Sequence, residues 1–448
     1  MNNLLSVKYE YLLKIMRLYR KLFFAALAAA WASTAPTQEL PAKGLAGNLT
    51  VYPYVDAEPP AQTPTPDDYE PFHMEHYGRH GSRWLIGKND YLTPVRNLEK
   101  AERAGKLTPL GQTTLTALRS IADASRGRLG ELSDKGALQH QAIGRRMARN
   151  YPQIFNDSAT VDAKATIVIR CILSMFNGLE GIQQVAPGIR PTTDASEADM
   201  RFMNYNDRPA WPIKDKAEAE YVRPYQAAHR GDSTYLSRLV TDPEFARDSV
   251  APGIMPYLYW VLGAAQGHTG QPWLLEEVFS PEELMEMWKS GNATWFIHSA
   301  NTPMTNHRMP YTQRKLLERM IERTDSALAT GTHGANLRYG HDGILVNLVT
   351  LMELNDYGRE FATVEELDDL TWRDFEIIPM AGNMQMVFYR PEGKAAPYSP
   401  ADVLVKVLLN EREVTLPVAP VVGPYYRWSD LRDYYLTKLQ NFSSTFTE

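Results

Sequence analysis

Phe72, Met74 and His76 alternate with polar neighbours, and this period of two predicts a short strand ending at Gly78. From Leu107 to Arg149 the apolar positions recur at helical spacing, with Gly127, Gly130 and Gly136 marking breaks. The β-branched stretch Thr160 to Ile169 predicts a strand running into a helix through Met175 and Leu179. Near residue 190 the pattern changes. From there to about 330 strand signals are nearly absent, and Leu284-Met285-Met287-Trp288 and Leu316-Leu317-Met320-Ile321 have helical spacing. Strand patterning returns at Leu337–Gly340, Met384–Arg390 and Val403–Leu409. Strand–helix units on both sides of a helical block predict an α/β domain, residues 71–190 and 331–448, carrying an inserted helical cap over 191–330.

The N-terminus reads differently. Lys14, Arg17, Arg20 and Lys21 precede an apolar run from Leu22 to Ala32, and Ala30-Trp31-Ala32 offers a small-residue cleavage site before Ser33. This is a secretory signal pattern over residues 1–32, with a run too short for a stable membrane anchor, so a periplasmic or secreted protein is expected. Pro53, Pro59, Pro60, Pro64, Pro66 and Pro71, with Pro41 upstream, predict an extended leader over 33–70. The single cysteine, Cys171, excludes an intramolecular disulfide and a Cys-based zinc site. An exported chain without disulfides points to a bacterial envelope. At 44% hydrophobic and 22% charged residues, the 448-residue chain has ample material for a core, which excludes a disordered class. A net charge of −6 argues against a nucleic-acid partner and leaves any attraction for an anion to a local pocket.

Three segments carry chemistry. Arg79-His80-Gly81-Ser82-Arg83 follows the first predicted strand, and an R-H-G-x-R match is expected by chance on the order of 0.003 times in such a chain. An imidazole can act as a covalent nucleophile, and arginines beside it can fork onto phosphoryl oxygens. His341-Asp342 lies at a second strand-to-helix turn, before the apolar helix Ile344–Leu354. In an α/β sheet such turns converge on one site, although Asp there also serves as a helix cap. Arg170, inside the apolar run Ile167 to Met175, needs an anion or a carboxylate if buried. No carboxylate or histidine cluster has metal-ligand spacing, and no metal or cofactor is expected.

Together these segments resemble the histidine acid phosphatase family, the branch of the histidine phosphatase superfamily that includes phytases and multiple inositol polyphosphate phosphatases. Tyr77-Gly78-Arg79-His80-Gly81-Ser82-Arg83 is similar to its N-terminal signature, and Leu132 to Gln139 resembles its L-T-x-x-G-x-x-Q helix start. Arg170 to Met175 resembles the segment supplying a third phosphate arginine, and His341-Asp342 the C-terminal pair. The resemblance covers roughly residues 70–190 and 335–440. It implies a three-layer α/β/α core with a mostly helical cap. It makes His80 the phosphohistidine-forming nucleophile and Asp342 the proton donor to the leaving alcohol. Arg79, Arg83, Arg170 and His341 would cradle the phosphoryl oxygens. The chain departs from the inositol polyphosphate branch in having His-Asp where His-Ala-Glu is usual, and Lys164 stands where arginine is common.

The expected function is an exported phosphomonoesterase, with inositol phosphates such as phytate ahead of simpler phosphomonoesters. A phosphoglycerate-mutase-like transferase shares an R-H-G nucleophile, but the signal pattern and the large cap argue against it. A non-catalytic polyanion-binding module is opposed by the intact His80, His341 and Asp342. Basic cap residues (Arg201, Arg208, Lys214, Lys216, Arg223, Arg308, Arg314, Lys315) are candidates for contacts to outer phosphates.

Overall fold

β1 (Tyr69–Arg79) is buried along nearly its whole length, so its polar side chains need partners inside the sheet. His73 Nε2 lies 3.0 Å from Glu75 Oε1, and Asn336 of the neighbouring strand donates to the same oxygen at 2.5 Å. The computed structural model describes residues 42–229, 233–271 and 274–445; the predicted signal segment lies outside them. Seven further strands complete one sheet: β2 (Thr160–Ala165), β3 (Thr192–Asp194), β4 (Gly334–Gly340), β5 (Asn383–Pro391), β6 (Leu404–Leu409), β7 (Arg412–Glu413) and β8 (Tyr426–Arg427). Their order is β3-β2-β4-β1-β5-β6-β7, with β8 paired to β6. β3, β2, β4 and β1 run parallel, and β5 begins the antiparallel half.

Strand side chains alternate between two buried layers. Met384, Met386 and Phe388 of β5 face one layer with Tyr77, while Val387 and Tyr389 face the other with Met74 and Leu337. The longer helices are α1 (Lys88–Arg103), α2 (Pro109–Ala124), α3 (Asp134–Asn150), α4 (Ile169–Val185), α5 (Tyr257–Ala265), α6 (Pro281–Ile297), α7 (Arg314–Thr330), α8 (Asp342–Leu351) and α9 (Trp428–Thr445). Ile143 and Met147 of α3, with Met175 and Leu179 of α4, fill the second layer. Leu345 and Val349 of α8, with Leu431 and Tyr435 of α9, fill the first. The result is the expected α/β/α core. Between β3 and β4 no strand occurs among the described residues, and α5, α6 and α7 are the long helices of that block. α7 buries Leu317 and Met320 in the same layer as β5, so the end of the helical block is part of the main core.

Three details differ from the sequence reading. Gly136 does not break a helix but sits in the first turn of α3. The leader is not extended throughout: residues 42–49 form 3-10 turns that bury Leu45, Ala46 and Leu49. α1 carries Pro94 within it and a largely polar face, which masks its period. Among the described residues no helix is long and apolar enough to cross a membrane.

Candidate active site

Three adjacent parallel strands, β2, β4 and β1, end at the same edge, with Arg79 opposite Gly340 and Ala165 opposite Tyr339. The residue after each strand therefore enters one crevice at the carboxyl edge of the sheet. β1 delivers Arg79 and His80, β4 delivers His341 and Asp342, and β2 delivers Thr166 and, in the first turn of α4, Arg170. All six predicted site residues belong to this edge. The rings of His80 and His341 stand 6.0 Å apart, edge to face.

The loop after β1 is fixed at nearly every backbone group. His80 N–H donates to Gly340 O at 2.9 Å, and Ala381 N–H donates to His80 O at 3.0 Å. Gly81 N–H donates to Ser174 Oγ at 3.1 Å, and Ser82 N–H to Gln139 Oε1 at 2.8 Å, while Gln139 Nε2 returns a bond to Ser82 Oγ at 2.9 Å. Ser133 caps α3 and also donates its backbone N–H to Ser82 O at 2.8 Å. The Leu132–Gln139 segment is thus a clamp on the loop that carries His80. It also explains Gly81: a Cβ there would lie 2.4 Å from Gly136 O, so glycine is required for backbone packing between loop and helix. His80 Nδ1 sits 2.9 Å from Gly81 O. A carbonyl only accepts, so Nδ1 carries the proton and Nε2 presents its lone pair.

Burial, then the fields of Arg79, Arg83 and Arg170, hold the His80 imidazole well below its usual range, which favours its neutral form. Arg79 is fully buried and donates Nη1 to Asn48 O at 2.6 Å and to Ile378 O at 2.5 Å. Burial and the neighbouring arginine lower Arg83 to about 10, which leaves it charged at neutral pH. The Nε–H groups of Arg79, Arg83 and Arg170 are buried and have no protein hydrogen-bond partner among the described residues. Asp342 is the one carboxylate at salt-bridge distance from these arginines among the described residues, with Oδ2 2.8 Å from Arg79 Nη2. Burial alone would raise the Asp342 carboxyl, but Arg79, Arg83 and the Gly343 N–H together hold it below its usual range. Burial is also the main reason His341 falls to about 4.

Several supporting residues carry no sequence signal of their own. Tyr77 Oη accepts from His341 N–H at 3.1 Å, and Thr166 Oγ1 lies 3.1 Å from His341 Nε2. The Cys171 thiol donates to Gly340 O at 3.3 Å, and burial raises it to about 11, so it packs and does not react. His140 hydrogen-bonds the backbone of Arg79 from behind. Lys164 is outside the site, 2.6 Å from Asp199. Several cap bases have partners within the cap, and others lie exposed. Arg308 and Arg314 are buried against Asp207, Lys214 and Lys315 pair with Asp215 and Glu318, and Arg201, Arg208 and Lys216 are exposed. Arg223 lines a separate cap cavity of about 980 Å³ with Tyr259, Trp260 and Met287.

No protein-family model matches the chain, and no curated protein sequence matches it. Solved structures do. The multiple inositol polyphosphate phosphatase of Bifidobacterium longum, in its complex with phosphate, superposes with a TM-score of 0.69 at 17% identity, over 87% of this chain and 97% of that one. The phytase from D. castellii gives 0.64 at 15% identity, over 92% and 89%. The Hafnia alvei phytase gives 0.51 at 13% identity, over 84% and 98%. These proteins are histidine acid phosphatases. With its layered core, helical block and histidine-bearing edge, this chain has the histidine acid phosphatase fold.

Proposed function

We propose that this protein is an exported phosphomonoesterase that works through a phosphohistidine on His80, with inositol polyphosphates as its substrate class. One observation carries the reading: three arginines act together on the His80 imidazole, and among the described residues only one carboxylate, Asp342, is at salt-bridge distance from them, the charge balance of an anion-binding site. His80 Nε2 attacks phosphorus and the bond to the leaving oxygen breaks, with Arg79, Arg83, Arg170 and His341 holding the phosphoryl oxygens. Asp342 gives its proton to the departing alkoxide, and its carboxylate then takes a proton from the water that cleaves the P–N bond. Without a phosphoryl group to share their field, the arginines hold the Asp342 carboxyl below its usual range. A bound phosphoryl dianion absorbs their field, leaves burial dominant and moves Asp342 toward its acid form. An acidic working range follows, and an optimum well above neutral pH would contradict the scheme.

The structural neighbours are inositol polyphosphate phosphatase and phytases by name, which supports that substrate class. A broad-specificity acid or sugar phosphatase is the second reading, and the site rim favours it. Ile86, Ile167 and Ile169 are 58%, 48% and 68% exposed beside Arg170, and several cap bases are already paired. Phosphate release from phytate, an alkyl phosphate and an aryl phosphate, with and without added phosphoglycerate, separates the readings. Faster turnover of phytate supports the first, and transfer to phosphoglycerate would replace both with a mutase.

A further inference from the structure

The segment that precedes the core reaches into the site. Asn48 O accepts from Arg79 Nη1 at 2.6 Å, and Asn48 Nδ2 lies 3.4 Å from Asp342 Oδ2. That oxygen is also the one 2.8 Å from Arg79 Nη2, whereas Asp342 Oδ1 accepts from the Gly343 N–H at 2.9 Å. Oδ1 is tied to the start of α8, so Oδ2 is the oxygen free to gain and lose a proton. Among the described residues, Asn48 and Arg79 are the two groups in contact with it, and Arg83 and His341 act on the same carboxylate through their fields.

Asn48 is held there by a built arrangement. Gly47 has φ 59° and ψ −136°, a backbone shape that other residues rarely adopt, and a Cβ on it would meet Asp374 Oδ2 at 3.1 Å. Asp374 is buried, and its carboxylate accepts from Trp288 Nε1 and from Phe375 N–H, both at 2.8 Å, and from the Asn48 backbone. Asn292 Oδ1 accepts from Asp374 N–H at 2.9 Å, and Met380 N–H donates to Thr50 O at 2.8 Å. The cap helix α6 and the 374–380 segment therefore grip the Gly47–Asn48 turn from two sides. Such anchoring exceeds what a leader needs merely to cover apolar surface.

We propose that Asn48 is a positioning residue for Asp342, holding Oδ2 toward the leaving group and tuning when it carries its proton. The inference rests on the phosphatase reading above. An amide suits the task because it has both a donor and an acceptor: NH₂ meets the carboxylate, and a rotated amide oxygen can receive the carboxylic acid proton. A leucine offers neither, and an aspartate adds a like charge.

Asn48→Asp and Asn48→Leu test this through pH profiles of kcat/KM for an alkyl phosphate and an activated aryl phosphate. A second carboxylate beside Asp342 disfavours its ionisation, so Asp342 stays protonated to higher pH. The alkaline limb of the Asn48→Asp profile should move up by about 0.5–1 pH unit with the alkyl ester, and by less than half as much with the aryl ester. Asn48→Leu should lower alkyl-ester turnover about 5–10-fold more than aryl-ester turnover. Limbs that coincide with wild type in Asn48→Asp, or equal losses on both esters accompanied by a fall in Tm, would overturn the role of Asn48. A wild type that releases phosphate from neither ester would instead overturn the reading of the site itself.

Discussion

The molecule holds two groups of wholly or partly buried arginines that composition cannot tell apart. In the helical block Arg308 and Arg314 share Asp207, at 2.9 and 3.2 Å, and lie over the Phe442 ring. Elsewhere in the core Arg146 has Glu411 at 2.6 Å and Arg338 has Asp162 at 2.7 Å. At the sheet edge, Arg79, Arg83 and Arg170 have, among the described residues, one carboxylate at salt-bridge distance between the three, and that carboxylate is the proposed proton donor. Burying a charge without its counter-ion is costly. A fold keeps such an excess where the missing partner is a ligand. The mark of function here is the imbalance of charge, and neither arginine nor burial by itself supplies it.

The sharpest test removes the group that the excess charge serves. His80→Ala should lower turnover by at least about 10³-fold with the fold intact, because no neighbour can replace a covalent nucleophile. An acid-labile, base-stable phosphoenzyme should be trapped in wild type and missing from the variant. Appreciable residual turnover would sink the covalent role.

Asp342→Asn probes the lone carboxylate. Its loss should depend on the leaving group, about 10²–10⁴-fold for phytate or an alkyl phosphate and far less for an activated aryl phosphate. His341→Ala should hurt both substrates alike, since it removes a contact to the phosphoryl group. Presteady-state phosphorylation rates decide it, and equal losses for Asp342→Asn would leave that residue as a helix-start group only.

The two arginine groups can then be set against each other directly. Arg170→Ala should raise KM and lower kcat together, by about 1.5–3 kcal/mol in kcat/KM, with little change in Tm. Arg308→Ala should do the reverse, lowering stability by about 2–4 kcal/mol as Asp207 loses a partner while the folded fraction keeps its kinetics. If Arg170→Ala changes only Tm, it belongs with the structural group.

Much of this contrast was legible in the sequence. Strand-to-helix turns placed His80 and His341 at one edge, and the apolar run around Arg170 flagged a cation needing an anion. What the sequence could not convey is pairing across long separations. Asp207 lies 101 residues from Arg308, so the cap bases read as candidate phosphate contacts when some are internal salt bridges. Asn48 lies 294 residues from Asp342 and stands in a proline-rich leader with no periodicity. Tyr77 and Thr166 alternate or terminate strands like any core residue, and only the register reveals that both touch His341.

The smallest expected effect concerns two buried histidines that have no acidic partner among the described residues. His76 and His140 are 1% and 2% exposed behind the site. Burial depresses both to about 3, with His140 and Arg338 adding to the effect on His76. In the unfolded chain each would titrate near 6.5. Below that pH the unfolded state takes up protons that the folded state refuses. Their contribution to stability is therefore complete above pH 6.5 and is lost as pH falls toward 3, at about 1.4 kcal/mol per histidine for each pH unit. If the proposed acidic working range holds, its lower limit is set by these two rings as well as by the groups of the site. His140→Met, which fills similar volume and cannot be protonated, should move the acid midpoint of unfolding down by about half a pH unit. The variant gives up the bond to the Arg79 backbone, so its Tm at pH 7.5 should fall slightly. Unfolding followed by circular dichroism from pH 7 to 3 measures both. An acid midpoint unmoved, or moved upward, would mean that the ring is protonated in the folded state, with a counter-ion that the sheet edge supplies.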